Sequence, residues 1–188
     1  TIELLAGIPS VVLGFFALIV LASWLQQMLG LRIRLNALNA GIALGLAVIP
    51  IIFTVAEDAL TTVPKSYREA SFALGANRWE TAVKVVLPAA LPGIFAGVVL
   101  GFGRAVGETM VVLMASGNAA TTTFWITDSV RTLSATVAAE LGEVVFGSPH
   151  YRVLFLIGVL LFVFTFAVNL CGDLYVQRLK QRLEGGRA

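Results

Sequence analysis

Arg104 and Glu108 are the two residues of this 188-residue chain whose types and spacing most directly invite chemistry. They stand four positions apart in an otherwise apolar stretch, a spacing that puts both on one face of a helix. A guanidinium is a planar fork of donors that can replace the hydration of an oxyanion. A carboxylate beside it competes with the anion and keeps an empty site weak. The pair therefore reads as a transient anion contact, Arg104, with a switching partner, Glu108. The same spacing also describes a structural ion pair that neutralises itself and holds helices together. In either case each charge costs about 2.5–3.5 kcal/mol at the centre of a bilayer on insertion scales, so both must face protein or water.

The elements that position this pair follow from composition. Hydrophobic residues make up 58% of the chain and charged residues 13%, with a mean hydropathy of +0.91. Ordinary soluble domains carry about 45–50% apolar and about 25% charged residues. Too few polar groups remain to cover a soluble globule. A typical cytosolic enzyme, a disordered segment and a nucleic-acid binder are excluded. One cysteine excludes a disulfide framework or a cysteine-built metal site, and the single histidine, His150, argues against a His-ligated metal or a Ser-His-Asp triad. The chain opens at Thr1 inside an apolar segment, with no charged n-region and small-residue cleavage site, so it is not a signal peptide and further sequence is expected upstream.

Charge-free stretches at 4–31, 35–56, 85–103, 109–127 and 153–172 locate the membrane spans. A spanning helix needs about 20 apolar residues. The expected fold is therefore all-α: one polytopic membrane domain over 1–188, with four transmembrane helices near 4–26, 37–58, 93–116 and 153–176. The third span joins two charge-free runs across Arg104 and Glu108, and places Arg104 about 16 Å from its start at 1.5 Å per residue. A loop at 59–92 separates the second and third spans, and a segment at 117–152 lies on the opposite side. Within that segment, Val130, Leu133, Val137, Leu141 and Val144 share one helical face, which predicts an amphipathic surface helix over 127–146. Eight of the thirteen basic residues (Lys65, Arg68, Arg78, Lys84, Arg178, Lys180, Arg182 and Arg187) fall on the side of the 59–92 loop. The positive-inside rule puts that loop and the C-terminus in the cytoplasm. Gly41 and Gly45, like Gly93, Gly97 and Gly101, have the spacing that lets helices pack closely. His150 is expected in an interfacial turn, and Asn169 in an interhelical hydrogen bond.

The loop itself has strong local chemistry. Pro64 suits a first helical turn, and Gly75 suits the left-handed position that ends a helix. Asn77 can cap a second helix with Glu80 three residues on, in the manner of a capping box. Pro88 is expected to stop that helix. Two short helices meeting at a fixed bend, between two spans, describe a docking element.

Glu69-Ala70-Ser71, three residues, Gly75, nine residues and then Val85-Val86-Leu87-Pro88 resemble the EAA loop of ABC importer permeases. That pattern runs Glu-Ala-Ala, three residues, Gly, nine residues, Ile-x-Leu-Pro. Ser71 and Val85 are the departures. The resemblance implies a type I importer permease fold. It also implies a coupling helix that inserts into a groove on an ATP-binding subunit, with Glu69, Ala70, Ser71, Gly75, Leu87 and Pro88 carrying the motif. Glu3-Leu-Leu-Ala-Gly-Ile-Pro-Ser-Val-Val12, Arg104-Ala-Val-Gly-Glu-Thr109 and the stretch from Thr132 to Glu143 are similar to the phosphate-type permeases. Essentially the whole chain is covered, as the C-terminal part of such a subunit.

The function this implies is ATP-driven import of inorganic phosphate across the inner membrane. Implied partners are a dimer of ATP-binding subunits, a second homologous permease and an extracytoplasmic phosphate-binding protein, in a lipid environment and without nucleic acid. The sequence has no Gly-x4-Gly-Lys-Ser/Thr loop. No cofactor is therefore expected in this chain: it is a transport subunit rather than an enzyme, and ATP and Mg belong to the partner ATPase. Permeases for molybdate or tungstate remain open, as does, more remotely, a secondary transporter or channel subunit.

Overall fold

The computed structural model describes residues 7–185, so Glu3 to Ala6 of the opening motif, the first residues of the span expected at 4–26, and Arg187 lie outside the described residues. Among the described residues the fold is helical, apart from one isolated parallel bridge between Gly117 and Val130. The helices are α1 (Ser10–Leu29), α2 (Ala37–Thr61), α3 (Lys65–Ala73), α4 (Arg78–Gly107), α5 (Met110–Ala115), α6 (Leu133–Glu140) and α7 (Pro149–Gly185). Four of them, α1, α2, α4 and α7, are long and apolar enough to cross a membrane. Only 6% of the apolar window of α7 is buried. A helix that is apolar all round yet scarcely covered by protein has lipid as its natural surroundings.

The helices pack through small residues. Ala17, Leu21 and Leu25 of α1 meet Ala40 and Ala43 of α2, and Val111, Val112 and Ala115 of α5. The α2–α4 seam is lined by glycine: Gly93 lies against Ala59, Gly97 against Val55, and Gly101 against Ile52 and Val48. Farther along, Gly172 of α7 abuts Val99, and Gly103 abuts the Asn169 amide. Without a hydrophobic drive between helices in lipid, close backbone approach supplies the attraction. Gly41 and Gly45 differ: both are exposed, with open space where a side chain would stand. Their spacing packs nothing within this chain.

Two expected boundaries need correction. The third span is not one helix over 93–116. Its helix starts at Arg78, passes Pro88 and ends at Gly107, after which Glu108 is extended (φ −68°, ψ 133°) and α5 begins at Met110. Pro88 does not stop the helix because the π-turn Ala82–Val86 precedes it, with the Leu87 N–H reaching back to Ala82 O. The wider turn carries the chain into a residue that has no N–H to donate. Thirty residues span about 45 Å at 1.5 Å each, longer than the about 30 Å hydrocarbon core. The first turns of α4 therefore project beyond it.

The amphipathic helix expected over 127–146 is also shorter, forming only Leu133–Glu140. Its buried residues are Ser134 and Ala135, while Leu133 and Leu141 are exposed. The stretch before it has another task. Asp128 O accepts from Ala37 N at 2.9 Å and Ile126 O from Leu38 N at 2.7 Å. These carbonyls satisfy amides that the first turn of α2 cannot pair internally, and the backbone there forms a turn, with Asp128 N donating to Trp125 O at 3.1 Å, rather than a helix.

Candidate functional site

Arg104 projects from the last turn of α4 into a cavity of about 60 Å³ that it shares with Ile8, Ser10 and Leu13 of the α1 end and Ala47, Pro50 and Ile51 of α2. Pro50 lies 13 residues from Ala37 and 11 from Thr61, so the cavity sits near the midpoint of α2. Pro50 is fully buried within the helix. Its ring cannot donate to the preceding turn and disfavours a regular helix there. Thr54 Oγ1 donates back to Pro50 O at 2.9 Å. The arrangement sets an exposed guanidinium, a seryl residue and a proline-bearing turn of a continuous helix around one small opening beside the midpoint of α2. It offers donors to an anion.

Glu108 is not the i+4 partner of Arg104. The helix ends at Gly107, the Glu108 backbone turns extended, and the shared face is lost. The Glu108 carboxylate instead accepts from the Thr109 amide at 3.1 Å. Its carbonyl accepts from Ser134 Oγ at 2.9 Å, which ties the α4–α5 break to α6. Among the described residues the ion pairs are Lys84–Glu80, Arg131–Glu140 and His150–Glu140, and none joins Arg104 to Glu108. His150 therefore does more than turn the chain: its Nε2 lies 2.9 Å from Glu140 Oε2 and links α7 to α6.

The loop between α2 and α4 has the bend its sequence predicts, shifted by one residue at its start, where Pro64 caps α3 rather than entering it. Gly75 is left-handed (φ 84°). Its N–H donates to Phe72 O, and the Ala76 N–H to Ser71 O, closing α3 with a Schellman pair. Asn77 Oδ1 accepts from the Glu80 amide at 2.8 Å, and Glu80 Oε2 from the Asn77 amide at 3.0 Å, a complete capping box. That backbone bond and, next, the Lys84 ammonium hold the Glu80 carboxyl below its ordinary value. Glu69, Ala70 and Gly75 are exposed on one side of the bend. Ser71 is buried on the other, and Leu87 and Pro88 lie in α4 where it leaves the loop.

Residues 1–185 match the pattern of the binding-protein-dependent transport system inner membrane component family. The chain belongs to that family. It is similar to the probable ABC transporter permease protein YqgH of Bacillus subtilis, 39% identical over 165 residues, covering 88% of this chain and 53% of that protein. It is also similar to the phosphate transport system permease protein PstC of Xylella fastidiosa, 33% identical over 201 residues, covering 96% of this chain and 61% of that protein. The chain thus spans little more than half the length of these relatives. Among solved structures it resembles the MetNI methionine ABC transporter, with a TM-score of 0.70 and 22% identity, over 95% of this chain and 72% of that one. The fold is that of an ABC type I importer permease.

Within this permease several contributors carry no motif signal. Phe72, Leu74 and Trp79 are 47, 89 and 76% exposed beside Gly75, an apolar rim on a charged loop. Aromatic and apolar residues in an otherwise polar connector were the available sign. Pro50 was legible as a proline within an apolar run. Asn36 and Asn39, both 0% exposed, were legible as an amide capping a span and an amide within it, where polar groups must find partners.

Proposed function

We propose that this chain is part of the membrane-spanning permease of an ATP-driven importer of inorganic phosphate. The observation that carries the reading is the Arg104 guanidinium opening on a small cavity at the midpoint of α2, in a chain that also bears the α3 bend. Phosphate presents several acceptor oxygens to a planar fork of donors. An exposed guanidinium that pairs with no carboxylate among the described residues can hold the anion and also release it. Relatives bearing the phosphate transport name support the choice of oxyanion.

In this reading the basic 59–92 loop and the C-terminus face the cytoplasm. A dimer of ATP-binding subunits, which hold ATP and Mg, grips α3 through Glu69, Ala70, Gly75 and the apolar rim. A second homologous permease completes the path, and an extracytoplasmic binding protein delivers the anion. Closure of the ATPase dimer on ATP moves α3 and tilts the spans between two openings. Glu108, at the break between α4 and α5, stands where such a tilt alters the backbone. It serves as the switching partner of Arg104 when the two helices realign.

The test is uptake of phosphate, molybdate and sulfate by proteoliposomes containing the full-length subunit and its partners, with Arg104→Gln and Glu108→Gln alongside. ATP-dependent phosphate uptake that both substitutions abolish is the expected result. Normal uptake by both variants overturns the site, and preference for molybdate overturns the substrate.

A further inference from the structure

We infer that Arg68, Ser71 and Thr81 are positioning residues that form two polar struts, fastening α3 to α2 and α4 so that its movement reaches the walls of the Arg104 cavity. This rests on the reading of α3 as the ATPase-docking helix. The first strut runs to α2. Arg68 Nη2 donates to Leu60 O at 3.0 Å, in the last turn of α2, where carbonyls lack helical partners and a cation is favoured by the helix dipole. The Arg68 Nε is itself enclosed and makes no hydrogen bond, so this edge of the guanidinium is seated in the joint while the residue as a whole is half-buried.

The second strut runs to α4. Ser71 Oγ and Thr81 Oγ1 lie 2.9 Å apart, with the two residues only 8 and 2% exposed. A hydroxyl at position 71 is the departure from the alanine of the EAA pattern, and it is useful here because Thr81 stands opposite. Val63, Val86 and Ala90, with Tyr67 packed on them, form an apolar seat around the joint. Glu69, Ala70 and Phe72 on α3, and Leu74 just past its end, remain exposed. One side of α3 is bolted down and the other is open to a partner.

Both struts end on levers that lead to the same place. Leu60 belongs to α2, which carries Ala47, Pro50 and Ile51. Thr81 belongs to α4, which continues through the Ala82–Val86 π-turn to Arg104. A displacement of α3 therefore acts on the two helices that frame the cavity. Removing the struts leaves docking intact and lets α3 slip.

The experiment measures ATP hydrolysis, phosphate uptake and ATPase co-purification on one proteoliposome preparation. Variants are Arg68→Met, Ser71→Ala combined with Thr81→Val, and the hydroxyl-preserving Ser71→Thr. Free energies of coupling between sites correspond to about 5–150-fold. Uptake per ATP is expected to fall at least about fivefold in the first two, with hydrolysis and co-purification unchanged, and to stay near wild type in Ser71→Thr. A fourth variant, Ser71→Cys with Thr81→Cys in a Cys171→Ser background, replaces the hydroxyl strut by a disulfide and is expected to recover coupling on oxidation. Unchanged uptake per ATP overturns the inference. So does loss of co-purification, which assigns these residues to docking. A wild-type chain that binds no ATPase subunit overturns the functional reading itself, and the struts with it.

Discussion

The Asn39 side chain in α2 donates to Ala115 O at 2.9 Å, joining residues 76 positions apart. The same nitrogen reaches, at 3.3 Å, the carbonyl of Ala17, which opens a π-turn over Ala17–Leu21 within α1. Ala115 ends α5 and Asn39 is fully buried, so one amide holds three helices where the broken third span finishes. Interhelical hydrogen bonds in membranes average about 0.6 and reach about 1.7 kcal/mol. Removing both bonds with Asn39→Leu is expected to cost on the order of 1–3 kcal/mol and to lower the melting temperature in detergent. Asn39→Asp is expected to cost more, since a carboxylate meets two carbonyl oxygens in a dry site. Equal melting of all three proteins counts against this role.

The glycine seam between α2 and α4 makes graded demands. A methyl group at Gly93 meets Ala59 Cβ at 2.5 Å, and one at Gly101 meets Ile52 Cγ1 at 2.6 Å. At Gly97 the nearest atom, Val55 Cβ, is 3.1 Å away. Ala59 has no flexible end to move aside, so Gly93→Ala is expected to destabilise most, by about 1–3 kcal/mol as overpacking does. Gly97→Ala is expected to be mild and Gly41→Ala silent in the isolated chain. Thermal unfolding of the three variants gives the order, and a silent Gly93→Ala refutes the seam.

Much of this structure was legible because bilayers and caps impose strict local rules. Four long apolar helices formed where four spans were expected, the third starting early at Arg78 and ending at Gly107, and the Asn77–Glu80 box and Gly75 formed as their residue types require. What escaped depends on contacts between distant segments. Nothing local at 126–128 announces that these carbonyls cap α2, so the helix expected from residue 127 begins only at Leu133. The π-turn that carries α4 past Pro88 depends on a wider hydrogen bond that no residue type in Ala82–Val86 demands. At the site, Arg104 was visible as a charge in an apolar run, but the break at Glu108 was not. Helical spacing assumed a continuous backbone, and the Ser134 bond to the Glu108 carbonyl comes from 26 residues away.

The capping box makes the start of α4 sensitive to acid. The Glu80 carboxyl is held below the ordinary value of 4.5, first by the Asn77 amide and then by Lys84. A depressed carboxylate contributes stability that is present above its unfolded value and is lost as pH falls through its folded value. Glu80→Gln is therefore expected to melt below wild type near neutrality and to converge with it as pH drops below 4.5. Melting scans of both proteins across that range test the sign. A gap that persists in acid assigns the effect to something other than the carboxylate.

Arg104 makes a sharper claim than the need for positive charge. A guanidinium offers two parallel donors in a fixed plane, whereas an ammonium is a compact, strongly hydrated point charge. If the cavity between α1, α2 and α4 serves an anion through that fork, Arg104→Lys keeps the attraction and loses the geometry. Forfeiting one charge-assisted hydrogen bond is worth roughly 1.5–3 kcal/mol, and each 1.4 kcal/mol is about tenfold in affinity. The half-saturating phosphate concentration for stimulated uptake is then expected to rise by about tenfold or more, with the maximal rate largely kept. Arg104→Gln removes the charge as well and is expected to abolish uptake. A lysine variant indistinguishable from wild type shows that charge alone suffices. A lysine variant as inactive as glutamine shows that Arg104 holds the helices rather than the anion.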